Sequence, residues 1–422
     1  MNVTNKHTWC NFAYLLFLKI ISRVTPLVMN AYMLRVVGFE SFGEIGLAMS
    51  VSYFATYVIS YGFQYTIPSY IILSDDKKDV GRLLTSVVSI QLILVLLCCT
   101  LYYVVIYSTP LLYRISKIIW GFFGVSIVSG MFPIGAFQGI NKLWYLSVLN
   151  PLMKMIFYVL LLLFIHSERD IVYYPILLCA VDFIRLVCGF VLLYVSGITF
   201  CRPRISIIKQ QLHDGFVGFI SLFYTVFNSH VPSILLGLLL NTQAVSIYKV
   251  GNCIVKFTSD ILDPFIEAWF PMVDMLHATN VGSWYAKVKK ILCCNIVVTT
   301  SISVLCHIFS DLFVSILCGH SHDSDYIHMA SSVFRMCCFL PVIMSTCWIM
   351  GMLFLKPSGY GTLYTTSLYI SCIVSVALNV VLIPKITIFG PVYATLCANF
   401  IELVILLYYA YKKIDDDITL TE

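Results

Sequence analysis

Charged residues are scarce in this sequence. Only 11% of its 422 residues are charged, whereas soluble domains carry about 25%. Apolar residues make up 60%, and the mean hydropathy is +0.91. The composition therefore predicts a polytopic helical membrane protein with little material left for a soluble domain. The net charge of +5 does not require a nucleic-acid partner, because basic residues collect in the cytoplasmic loops of membrane proteins.

Motifs of enzymes and of metal sites are also missing. The sequence has no Gly-rich phosphate loop, no recognisable pairing of a nucleophile with a base, and no segment large enough for a nucleotide-binding domain. Its 16 cysteines form no CxxC pair. Most of them lie in apolar runs, where thiols act as small hydrophobic groups. We therefore expect a transporter without cofactor or metal rather than an enzyme or an ATP-driven pump.

Long apolar runs divide the chain into membrane spans. The runs are too long and too uniformly apolar for the alternating strands of a β-barrel, and each is about the length of a spanning helix. We predict twelve spans, at residues 11–34, 43–64, 84–107, 117–137, 143–165, 171–195, 215–240, 244–268, 287–310, 328–352, 361–382 and 389–410.

The loops between these spans predict orientation and domains. Lys and Arg are concentrated on the side of the membrane that carries the N-terminus, which predicts that both termini are cytoplasmic. The longest predicted loops are 196–214 and 269–286. The first would be a cytoplasmic linker between an N-terminal six-helix lobe, 1–195, and a C-terminal six-helix lobe with a short tail, 215–422. Three proline pairs at a nearly constant offset suggest duplication of a six-span unit: Pro26 with Pro232, Pro68 with Pro271, and Pro133 with Pro341.

One predicted span carries a stripe of charge. On a continuous α-helix its five charged residues fall within an arc of roughly 60°. A charge at the bilayer centre costs at least about 2.5 kcal/mol, so we expect the stripe to face a watery cavity inside the bundle. Its members are Lys249, Lys256, Asp260, Asp263 and Glu267.

A second stripe lies on the first span, where Lys19 and Arg23 share a face with Pro26 and Asn30. If the two stripes face each other, Lys19, Arg23 and Lys256 converge near the middle of the membrane, and Lys249 and His230 could join them. Such a cationic cavity suits a diphosphate, which offers several acceptor oxygens and at least two negative charges.

Two other interpretations stay open. The cations could pair with Asp260, Asp263 or other acids and simply brace the bundle. The acids Asp260, Asp263 and Glu267 could instead carry a coupling ion. Among other charges within spans, the i,i+3 spacing of Asp182 and Arg185 predicts a local ion pair, and Arg335 and Glu402 are expected to brace helices.

Four short motifs resemble those of a known family. They are Tyr32–Gly43 (YMLRVVGFESFG), Tyr61-Gly62-Phe63 with Pro68 closing the span, Pro133–Gly139 (PIGAFQG) and Gly390–Thr395 (GPVYAT). Together with the length and the span count, they resemble Wzx-type O-antigen flippases of the multidrug/oligosaccharidyl-lipid/polysaccharide superfamily.

The resemblance implies a fold and a substrate. The fold is two six-helix lobes around a central cavity lined by spans 1, 2, 7 and 8. The substrate is an undecaprenyl-diphosphate-linked oligosaccharide, moved from the cytoplasmic to the periplasmic leaflet of a bacterial inner membrane by alternating access. Implied partners are this lipid, membrane lipid, and the polymerase and chain-length proteins of lipopolysaccharide biosynthesis. The alternatives are a multidrug or metabolite antiporter of the same superfamily and a polytopic polysaccharide polymerase.

Overall fold

The computed structural model of the protein describes residues 3–74, 76–319 and 324–419. Within these ranges the side chains of residues 3–24, 221–223, 225, 260–261, 263–265, 267–268 and 414–419 are not described. The described chain is helical nearly throughout and contains no β-strand, which confirms the predicted all-α class.

The helices follow one another with short connections. The α-helices in the described chain are α1 Val3–Ser60, α2 Phe63–Ile72, α3 Lys77–Ser108, α4 Pro110–Arg114, α5 Ser116–Gly130, α6 Ile134–Gly139, α7 Leu143–Phe164, α8 Tyr173–Val195, α9 Ile205–Leu239, α10 Thr242–Gly251, α11 Cys253–Thr279, α12 Val281–Ile308, α13 Ser310–Cys318, α14 Ser324–Cys337, α15 Leu340–Ile349, α16 Gly361–Ile386 and α17 Gly390–Thr419. Short 3-10 helices span Glu168–Val172 and Thr387–Phe389, and a π-helix spans Met350–Leu355.

These helices account for every predicted span. Eight described segments are long and apolar enough to cross a membrane. Thr25–Ile72 contains the span predicted at 43–64 and the end of the span predicted at 11–34, and it bends at Gly38, where φ is 77°. Gly361–Lys413 contains the last two predicted spans and is interrupted by the turn at Thr387–Phe389. The two remaining predicted spans correspond to α9 and to α10 with α11. The chain is a multi-pass membrane protein.

Helices extend into two of the predicted loops. The predicted linker 196–214 is non-helical only over 196–204, and the predicted loop 269–286 is the meeting point of α11 and α12 at Asn280. Polarity marks where a helix leaves the hydrocarbon, but it does not end the helix. The second turn is tight because the Asn280 side chain accepts a 2.9 Å hydrogen bond from the Ser283 amide, as an N-cap residue does.

Internal contacts divide the described residues into two compact units. The middle unit contains Glu40–Ile234, and the terminal unit contains the described residues up to Phe39 together with those from Leu235 onward. The boundaries between these units divide α1 after Phe39 and α9 after Ile234. The predicted lobes, 1–195 and 215–422, stay a prediction. The predicted duplication concerns the sequence repeat, and it stays a prediction.

The core of the terminal unit surrounds Trp284. This indole is fully buried, donates a 3.2 Å hydrogen bond to the Leu353 carbonyl and stacks on Phe354 with ring centroids 5.0 Å apart. Lys287, one turn further along α12, lies 4.2 Å above the Trp269 ring of α11. Cation–π contact and aromatic stacking thus hold the α11–α12 hairpin against the π-helix.

Residues 35–39 contact residues of the same unit that are far away in the sequence. The Arg35 guanidinium donates hydrogen bonds to the carbonyls of Ile316 and Leu317, the latter at 3.4 Å. Phe39 packs on Tyr326 with ring centroids 5.5 Å apart, and the Ser246 hydroxyl donates to the Phe39 carbonyl. Residues 35–39 are therefore held by partners from the second half of the sequence.

In the middle unit, α2 and α9 cross at glycines. Gly62 precedes α2 with φ +76°, and a Cβ there would lie 2.7 Å from the Phe219 backbone nitrogen and 2.8 Å from the Gly215 carbonyl oxygen. Only glycine combines that left-handed conformation with so close an approach. The neighbouring Tyr61 stacks on Phe219 at 5.1 Å, which closes the crossing.

Candidate functional site

The predicted cation site is only partly within the described side chains. Lys19 and Arg23 lie on α1, but their side chains are outside the described residues. The same holds for the acidic part of the stripe on α11, namely Asp260, Asp263 and Glu267. The convergence predicted for these groups therefore stays a prediction.

The helix that carries the stripe is not continuous, contrary to the prediction. α10 ends at Gly251 and α11 begins at Cys253, and between them Asn252 has ψ near 0°, away from the α-helical value of about −42°. At this point the backbone lies against α14, because a Cβ on Gly251 would come within 2.4 Å of Val333 Cγ1. The single arc predicted for all five charges therefore does not apply across Asn252.

The three described members of the predicted cation site differ in setting. Lys249 is half-buried on α10, and Lys256 is exposed on α11. Both belong to the terminal unit. His230 belongs to the middle unit, where its half-buried ring stacks on Tyr53 at 4.5 Å with an interplanar angle of 22°. Stacking against an aromatic ring fixes the orientation of the imidazole.

The middle unit encloses a cavity of about 200 Å³ beside Tyr53. This volume corresponds to several water molecules at about 30 Å³ each. Tyr57, Gln64 and Gln91 contribute polar groups to its wall. Gln91 is 5% exposed, and its carboxamide donates a 3.0 Å hydrogen bond to the Gly130 carbonyl. The cavity is therefore a polar site inside an otherwise apolar helix bundle.

An ion pair adjoins this cavity. Arg185 Nη2 lies 3.4 Å from Asp182 Oδ1, as the i,i+3 spacing predicted. Ser129, which lines the cavity, donates a 2.9 Å hydrogen bond to Asp182 Oδ2. The Arg185 guanidinium lies 4.8 Å above the Phe132 ring, while its buried Nε has no hydrogen-bond partner among the described residues. The pair thus connects α8 with two residues of the cavity wall, Ser129 on α5 and Phe132.

Replacing Asp182 with alanine should destabilise the middle unit. The side chains of Asp182 and Arg185 are only 14% and 19% exposed, and removing the acid leaves the guanidinium without its counter-charge. The expected loss is roughly 1–3 kcal/mol, measurable as a lower melting temperature of the purified protein in detergent. The double replacement of Asp182 and Arg185 by leucine should recover most of this loss. Equal destabilisation in the single and double variants would contradict the assigned pairing.

Two other charged residues in predicted spans have clear structural settings. Arg335 on α14 pairs with Asp311 and donates a 2.7 Å hydrogen bond to the Ser310 hydroxyl, so it braces α13 against α14 as predicted. Glu402 on α17 is only 3% exposed and forms no ion pair among the described residues.

The part of the chain that the structure describes contains no cluster of His, Cys, Asp or Glu that could hold a metal ion.

Comparison with solved structures gives the fold. The chain superimposes on a lipid II flippase, MurJ, in an inward closed conformation with a TM-score of 0.74 and 12% identity, covering 94% of this chain and 87% of that one. It superimposes equally well, with a TM-score of 0.74 and 13% identity, on an inward-facing multidrug resistance transporter of the MATE family, covering 92% and 93%. The protein has the fold of the multidrug/oligosaccharidyl-lipid/polysaccharide superfamily.

Sequence comparison gives the family within this class. Residues 8–277 match the family described as polysaccharide biosynthesis protein, and the chain belongs to that family. A protein of Escherichia coli (strain K12), named as a candidate O-antigen transporter, is 22% identical over 329 residues, which is 78% of this chain and 79% of that protein. A protein of Shigella dysenteriae with the same name is 20% identical over 268 residues, which is 61% of this chain and 65% of that protein. The resemblance to Wzx-type flippases is confirmed.

Proposed function

We propose that this protein is a flippase for an undecaprenyl-diphosphate-linked oligosaccharide, such as an O-antigen repeat unit. The observation that carries the proposal is the match to O-antigen transporters along most of the chain, on a flippase fold. The lipid would move from the cytoplasmic to the periplasmic leaflet of the inner membrane by alternating access. The proposal includes the predicted orientation with both termini in the cytoplasm.

The sugar part of such a lipid is what prevents it from crossing the membrane without a protein. Each sugar hydroxyl that enters hydrocarbon without a partner costs roughly 2–7 kcal/mol, so a repeat unit with many hydroxyls does not cross unaided. Polar groups inside a helix bundle remove that cost while the polyprenyl tail stays in lipid. In this proposal Lys19, Arg23, Lys249, Lys256 and His230 bind the diphosphate, and Asp260, Asp263 and Glu267 are candidates for ion coupling.

A deletion strain tests the function directly. We expect complete lipid-linked repeat units to accumulate on the cytoplasmic face, measured by fractionating undecaprenyl-linked intermediates. Surface polysaccharide should disappear, as seen on gels of the same cells. Single units that reach the outer surface without extension would instead indicate a polymerase. Normal polysaccharide together with new drug sensitivity would indicate a multidrug antiporter; the second structural relative is named a multidrug resistance transporter. Either of these results would sink the flippase proposal.

A further inference from the structure

A second cavity in the middle unit lies between α2 and α9. Its volume is about 520 Å³, within the range of about 300–1,000 Å³ that is usual for small-molecule sites. One wall is the face of α2 that carries Tyr65, Thr66, Ser69 and Tyr70, and the other is the face of α9 that carries Gln210 and Asp214. We refer to this cavity as the α2–α9 cleft.

The chemistry of the cleft points to a neutral polyhydroxylated ligand. Carboxylate oxygens accept hydrogen bonds, carboxamides both donate and accept them, and hydroxyls do either. Tyr65 and Tyr70 add ring faces, and Tyr65 is 54% exposed, so an aromatic surface is available to a ligand. A sugar ring needs this combination, because it carries hydroxyls around its rim and C–H groups on its faces.

Charge argues against the diphosphate as the occupant of this cleft. No Lys or Arg lines it among the described residues, and its one charged lining group is the Asp214 carboxylate. That carboxylate contacts His213, whose Nδ1 lies 3.1 Å from Asp214 Oδ1 on an exposed side chain. A phosphate would meet repulsion here, whereas a sugar hydroxyl would find an acceptor.

Contacts within the protein fix the shape of the cleft. Thr66 donates a 2.6 Å hydrogen bond to Gln211 Oε1, and Gln211 is 1% exposed. The same two helices, α2 and α9, also meet at glycines. A Cβ on Gly218 would come within 3.0 Å of the Tyr65 ring and 3.3 Å of Gly62 Cα. The walls are therefore fixed before binding, which lowers the entropic cost of taking up a ligand.

We propose that the α2–α9 cleft binds the sugar portion of the transported lipid, separately from the cations proposed to bind its diphosphate. The inference rests on the proposed flippase function and adds to it a recognition site for neutral sugar. In the orientation that the basic loops predict, the cleft opens near the cytoplasmic ends of these two helices. That is the side on which a completed repeat unit is presented.

The test compares two probes on the full-length purified protein by calorimetry. One probe is the repeat-unit oligosaccharide released from the surface polysaccharide of the source strain, and the other is undecaprenyl diphosphate without sugar. Asp214→Ala and Gln210→Ala should each weaken oligosaccharide binding at least about tenfold, equivalent to about 1.4 kcal/mol. Binding of undecaprenyl diphosphate should not change.

Lys209→Ala is the matched control, because Lys209 is exposed on the same helix and does not line the cleft. It should leave both affinities at the wild-type value, and melting temperatures should confirm that all variants fold. Wild-type oligosaccharide affinity in both cleft variants, or parallel loss of both probes, would overturn the cleft assignment while leaving a flippase intact. Normal polysaccharide in the deletion strain would instead overturn the flippase proposal itself.

Discussion

Cells in which Lys256 is replaced by alanine should lose most of their surface polysaccharide, with the protein still folded in the membrane. Lys256 lies exposed on α11, so its ammonium group is accessible for the diphosphate contact that we propose. A hydrogen bond to a charged group contributes about 1.5–3 kcal/mol. Its loss should weaken diphosphate binding about tenfold to a hundredfold. Arg23→Ala should act in the same direction.

The readout is surface polysaccharide per unit of membrane-inserted protein, from gels and immunoblots of the same cells. Lys289→Ala provides the control, since Lys289 is also exposed but lies on α12, outside both charged stripes. We expect this variant to behave as wild type. Unchanged polysaccharide in both Lys256→Ala and Arg23→Ala cells would eliminate the cationic site but not the flippase function.

Valine in place of Gly62 should have the largest effect on stability. A side chain in the left-handed conformation costs roughly 1–2 kcal/mol. The Cβ would also meet the backbone of α9 at 2.7–2.8 Å, and overpacking of this kind adds typically about 1–3 kcal/mol. Together these two costs amount to a large fraction of the free energy of unfolding of many domains. Thermal unfolding in detergent should show a strongly lowered melting temperature or no folded protein.

Gly359 separates the two contributions. It has a similar φ of +85°, but a Cβ there would have no neighbour within 4 Å. Gly359→Val should therefore show only the smaller loss that comes from backbone conformation. Equal destabilisation by the two valines would mean that the contact between the start of α2 and α9 is not the source of the effect.

Hydropathy predicted most of the fold because long apolar runs have few alternatives in a membrane. The spans predicted at 84–107, 143–165 and 361–382 correspond to α3, α7 and α16, with differences only at the ends. The break at Asn252 was missed for a physical reason. It lies where Gly251 packs closely on Val333, and a contact between residues far apart in sequence leaves no trace in the local pattern.

The candidate sites were less predictable than the fold. Sequence reasoning selected charged residues in apolar runs, and it correctly paired Asp182 with Arg185. It did not select Gln91 or Ser129, although both line the cavity beside that pair. Neutral polar residues are common in membrane helices, so their significance depends on which helices meet. The polar residues of the α2–α9 cleft were not predicted as a site, because the sequence does not show that α2 and α9 meet.

The attachments of residues 35–39 have a consequence for biosynthesis. Arg35 and its partner Leu317 are 282 residues apart in the chain, and ribosomes add about 5–20 residues per second, so the partner emerges roughly 15–60 s later. During that interval residues 35–39 lack these partners. The contiguous stretch Glu40–Ile234 can meanwhile assemble, since the contacts within this unit join residues that are already synthesised. Assembly of the newborn protein would thus proceed from the inside of the sequence outward.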